Sequence, residues 1–116
     1  MEQLVKETLE SCLDYLPKLI RAVSEIPEML QSGNEAAGIR LLPPVFDGLQ
    51  WVMEAIQGMQ RNGFLREVDL GSLAKHFKEL ESALEIRDYV LIADLFEYEI
   101  EPVLEEWLKT IEQTGL

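Results

Sequence analysis

The sequence predicts an all-α fold, an up-down four-helix bundle with proline-kinked helices. Three observations predict it. Four stretches carry apolar residues spaced three and four apart, which places each set on one helix face. Short turn-forming links separate them: Ser32-Gly33-Asn34, Asn62-Gly63 with its neighbours, and a residue or two around Arg87. The 116 residues, 47% of them hydrophobic, suit one core in a single domain spanning residues 1–116. No 20–50-residue repeat argues for a solenoid.

The first helix is expected from Glu2 to Gln31, with its stripe at Leu9, Leu13, Leu16, Ile20 and Val23. Pro17 and Pro27 lie inside it, and an interior proline deletes a hydrogen bond and crowds the preceding turn. Pro27 nevertheless sits on the stripe, with Leu30 three residues on, so the reading is kinks or one short break rather than two helix ends. Gly33 suits the C-terminal cap and Asn34 the next N-cap.

The second helix is expected from Glu35 to Arg61, with Val45, Leu49, Val52, Ile56 and Met59 inward. Pro43-Pro44 should detach residues 35–42 as a separate turn. Gly48 and Ala55, seven apart, permit close approach of a neighbouring helix. Phe64 and Leu65 make the next link apolar, so it should fold back onto the bundle end.

Asp69 is the expected N-cap of the third helix, which runs to about Ile86 with Leu70, Leu73, Phe77, Leu80 and Leu84 inward. Asp88 caps the fourth, from Tyr89 to about Gln113, whose stripe is Ile92, Phe96, Ile100, Val103, Trp107 and Ile111. So short a link forces an antiparallel hairpin or one bent helix. Pro102 should bend the last helix. Leu16, Val52, Phe77 and Phe96 are the expected central core.

The chain carries 22 acidic against 10 basic residues, for a net charge of −12. With Lys and Arg scattered, nucleic acid and anionic membranes are not expected partners, because both need cations to displace counterions. The acidity reads as a solvated surface, or less simply as a match for a basic partner. Cys12 is the only cysteine, which excludes an intramolecular disulfide and fits a reducing compartment; it falls on the apolar face as a small buried hydrophobe. Met1-Glu2-Gln3 lacks the basic start of a signal peptide, and no run approaches the roughly 20 apolar residues of a membrane span. A cytoplasmic location is the expectation.

No motif for catalysis or for a cofactor stands out. His76 is the single histidine, and His76-x-x-Glu79 cannot by itself close a transition-metal site. A helix-surface role is expected for it. Glu7/Glu10, Glu25/Glu28 and Glu85/Asp88 match the acidic pairs with which helical nucleotide pyrophosphatases hold Mg²⁺, so a divalent-metal-dependent hydrolase is the alternative function. Such pairs also arise by chance among 22 carboxylates. Gly-x-Gly-x-x-Gly and Gly-Lys-Ser/Thr are absent.

The fourth helix is the unusual one. On an α-helical wheel Glu99 falls about 20° from Ile92, inside the apolar arc, which makes it a candidate buried polar site needing a partner. Leu91, Leu95 and Tyr98 widen the arc on one side, and Leu104 and Leu108 on the other. A peripheral helix needs a stripe of about 100°, so the surplus is expected either under the Phe64-Leu65 link or against another chain. Leu91, Leu95 and Tyr98, with Trp51 as a nearby anchor, are the candidate interface.

The segment from Asp88 through Trp107 resembles the closing helix of small uncharacterised all-helical proteins of Gram-positive bacteria. Gly48-Leu-Gln-Trp51 is similar to a stretch of their second helix. The resemblance implies a cytosolic helical protein with no established activity and supplies no catalytic residues. Bundle-shaped export chaperones share the size and acidity. The expected function is a non-enzymatic protein–protein interaction module, a homodimeric adaptor or export-chaperone-like protein, without cofactor.

Overall fold

The computed structural model describes residues 3–114; Glu2, the expected start of the first helix, lies outside them. All elements among the described residues are helical. They are α1 (Gln3–Gln31), α2 (Glu35–Arg61), α3 (Leu70–Glu85), α4 (Tyr89–Asp94), a π-helical turn (Leu95–Ile100) and α5 (Glu101–Glu112). The last three follow one another without a break in right-handed helical backbone, as one rod. Among the described residues, no helix is long and apolar enough to cross a membrane.

Side-chain contacts set the directions. Gly38 of α2 abuts Leu30 of α1, Gly48 abuts Leu19, and Met59 shares a cleft with Val5. The sums of these residue numbers stay nearly constant, so α1 and α2 are antiparallel. Phe46 of α2 meets Phe77 of α3, and Ala83 of α3 faces Leu91 while Ser72 faces Val103. α3 and the last rod are therefore antiparallel as well. The molecule extends 47 Å along its long axis, close to the roughly 44 Å of a 29-residue helix. α1 is the spine.

Being the spine changes which residues of α1 are buried. It packs against α2 on one side and against α4, the π turn and α5 on the other. Two adjacent rows are therefore enclosed: Leu9, Leu16 and Val23, and Val5, Cys12, Leu19 and Ile26. Leu13 and Ile20, expected on the stripe, flank these rows and are half-buried. In α2 the expected stripe is buried throughout. The peripheral α3 buries only Leu73, Leu80 and Ala83. Phe77, expected in the central core, is half-buried against Phe46 at a ring separation of 5.6 Å. Leu84 is exposed.

The prolines interrupt less than expected. Pro17 and Pro27 lie within an unbroken α1, and Pro43 and Pro44 within an unbroken α2, so residues 35–42 are not a separate turn. Pro17, Pro43 and Pro44 are exposed. A carbonyl deprived of its partner on that side is satisfied by water, which lowers the cost of keeping the helix. Asn34 precedes α2 without a side-chain capping bond; its carbonyl accepts the N–H groups of Ala37 and Gly38 instead. Asp69 and Asp88 cap as expected, accepting from the N–H of Gly71 and of Leu91.

The π turn resets the phase of the last rod. Pro102 has no N–H and its ring crowds the turn before it. That turn is widened by about one residue, with the Glu101 N–H donating to the Phe96 carbonyl. Residues four apart then return to the same face. Ile92, Phe96, Ile100 and Leu104 all fall in the core, each with no exposed surface.

Candidate functional site

The sharpest feature is the corner between α3 and α4. α3 ends in a Schellman motif, with the Asp88 N–H donating to the Ala83 carbonyl at 2.9 Å and the Arg87 N–H to the Leu84 carbonyl at 3.1 Å. This geometry needs a left-handed residue, and Arg87 takes that role at φ 56°. The chain reverses so tightly that its apolar residues cannot all turn inward. Ile86 is 73% exposed and Val90 75%. Leu91 is exposed beside them and lines a shallow cleft with Ala83 and Ile86. Tyr98 stands outward on the π turn, 67% exposed.

Leu95 does not belong to this surface. It is 5% exposed and packs in the core, which corrects its place among the contact residues. On the helical wheel it lies between Ile92 and Leu91, and the core encloses that flank while leaving Leu91 outside. The loop after α2 does not cover the Leu91–Tyr98 edge. Gln60 Nε2 donates to the carbonyls of Leu65 and Val68 at 2.9 and 2.8 Å, folding the loop onto the bundle end. There Leu65 is buried and Val68 lies beside Val103 and Trp107.

Glu99 is also displaced from its expected position. Its side chain is 50% exposed, not on the bundle axis, because the π turn rotates it out of the Ile92 row. It does find a polar partner. Nε2 of His76 on α3 lies 3.4 Å from its Oε2, while Nδ1 of the same ring lies 2.9 Å from Oε1 of Glu79. His76 is thus mostly covered, at a helix–helix seam, rather than on an open helix surface. The spacing of His76 and Glu79 was visible in the sequence; the approach of Glu99 depended on the π turn.

Trp51 lies elsewhere, between α1 and α2. Its ring meets Tyr15 edge-on, with centroids 5.5 Å apart and planes at 80°. Gly48 makes this possible: a Cβ there would collide with the Tyr15 hydroxyl. Asp14 and Asp47 line the same groove, whose volume is ≈ 640 Å³. Trp51 remains 41% exposed. Tyr15 and Asp47 were not singled out by sequence reasoning; their meeting depends on the register of α1 against α2.

Electrostatics follows burial and crowding. Burial pushes the Cys12 thiol up to about 11. The Tyr98 hydroxyl donates to the Glu97 carboxylate, and that bond, followed by the charge of Glu97, raises its pKa. Partial burial, followed by the charges of Glu105 and Glu97, raises the Glu101 carboxyl. Among the described residues, no three His, Cys, Asp or Glu side chains come together so as to hold a metal ion. Asp88 of the Glu85/Asp88 pair is engaged as a helix cap.

The arrangement from α1 to α5 coincides with a family pattern. Residues 7–110 match the family described as Domain of unknown function (DUF8042). The chain belongs to the DUF8042 family. The match takes in the α3–α4 corner, the His76–Glu99 seam and the Trp51 groove, so all three lie within the DUF8042 domain. No curated protein and no solved structure matches the chain.

Proposed function

We propose that this DUF8042 protein is a non-enzymatic, cytoplasmic interaction module that pairs with a second copy of itself through the α3–α4 corner. The observation that carries this reading is the exposure of Ile86, Val90 and Leu91 around one tight turn, with Tyr98 further along. Full burial of such a side chain is worth about 1.5–3 kcal/mol; Ile86 and Val90 forgo most of that and Leu91 less than half, and a partner surface recovers it. A two-fold contact suits the corner, because it sets the same patch on both copies. Lys78 and Arg87 beside Glu79 and Glu85 give the rim both signs of charge, so self-pairing there is not opposed by the net charge of −12.

Sedimentation equilibrium tests the reading. The wild-type chain should dimerise, and Val90→Asp should be monomeric with unchanged helicity, since Val90 contributes nothing to the core. A wild-type chain that stays monomeric at about millimolar concentration rules out self-pairing of any consequence.

A further inference from the structure

We infer that the groove between α1 and α2 is a second binding site, one that takes an arginine side chain from a short basic segment of a partner protein. The inference rests on the coincidence of an open aromatic surface and unneutralised carboxylates. The edge-on meeting of Tyr15 and Trp51 uses the face of only one ring, and Trp51 is left 41% exposed. Aromatic faces attract cations, and a planar guanidinium stacks on them better than an ammonium does. Asp47 has no cation partner among the described residues, and Asp14 has only Lys18 at 3.3 Å, with both side chains more than two-thirds exposed. So exposed a pair is weak and readily exchanged for an incoming cation.

Shape and charge name the occupant. A groove of ≈ 640 Å³ is larger than one side chain and suits a side chain with its flanking backbone. The floor is held open by Gly48, over which the Tyr15 hydroxyl lies. The chain's net charge of −12 draws basic segments from a distance and disfavours acidic ones. The site is independent of the α3–α4 corner, being built from other helices.

Acetyl-Gly-Arg-Gly-amide is the probe, with the citrulline peptide as its uncharged counterpart and acetyl-arginine amide as the small-molecule counterpart. The readout is the NMR shift of the Trp51 indole N–H, which separates it from Trp107. The arginine peptide should give a saturable shift that weakens with salt. Trp51→Ala, followed by backbone amides of α1 and α2, should weaken binding about three- to thirtyfold. Asp47→Asn should weaken it about two- to fivefold. Both positions are exposed, and melting curves confirm that the variants fold. No saturable shift up to about 10 mM peptide, equal binding of the citrulline peptide, or undiminished binding by Trp51→Ala overturns the inference. Binding of acetyl-arginine amide as tightly as the peptide overturns the protein-segment occupant and identifies a site for small organic cations.

Discussion

Nε2 of His76 lies 3.4 Å from Oε2 of Glu99, the one ion-pair-range contact between two helices among the described residues. It joins α3 to the π turn. In an uninterrupted α-helix Glu99 would fall about 20° from Ile92, inside the apolar arc; it lies instead on the widened turn before Pro102, half-exposed at the seam.

A half-exposed pair of this kind contributes little. A double-mutant cycle with His76→Gln and Glu99→Gln, read by urea denaturation, should give a coupling of about 0.2–1 kcal/mol. A coupling above about 3 kcal/mol would mean that the pair is dry and buried.

The phase of the last rod makes a sharper prediction. Phe96 is fully buried, so Phe96→Ala should cost about 3–5 kcal/mol. Phe77, at the margin against Phe46, should cost about 1–2 kcal/mol when cut to Ala. Leu95→Asp should unfold the chain, as an unpaired charge in the core, whereas Val90→Asp should not. Equal stability of these two aspartate variants would contradict the burial of Leu95.

Arg87 should be improvable. α2 ends in the same Schellman motif as α3, with Phe64 N–H to Met59 carbonyl at 3.0 Å, but uses Gly63 at the left-handed position. Arg87→Gly removes the left-handed cost at the other corner and should stabilise by roughly 0.5–1 kcal/mol net of the looser unfolded chain. Thermal melts that show a loss instead would assign the Arg87 side chain a contact of its own.

Cys12 should be silent and pH-sensitive. Its thiol has no exposed surface, so a disulfide-exchange reagent should label it only on unfolding. Burial raises its pKa from 9.0 to about 11. Between these values the folded chain keeps a proton that the unfolded chain has lost. The stabilisation is therefore complete below pH 9 and disappears as the pH rises through about 11, a change of about 2–3 kcal/mol. Urea denaturation should show this slope in the wild type and lose it in Cys12→Ala.

Local sequence determined the helices and most of their ends. Apolar spacing marked all four helical stretches, and Asp69, Asp88 and Gly63 punctuate them where they stand, because capping and turn geometry involve only residues a few positions apart. Leu91 and Tyr98 were legible as surplus apolar residues and Trp51 as an aromatic anchor, and all three are exposed. Tertiary structure alone decided which flank of each stripe was enclosed. α1 buries two rows because it has neighbours on both sides, while α3 leaves Phe77 half-covered because it lies at the edge. It also enclosed the flank that holds Leu95, and it decided the place of Glu99. A wheel drawn at a constant angle per residue cannot contain a turn that widens to relieve Pro102, and every residue beyond such a turn changes the direction in which it points.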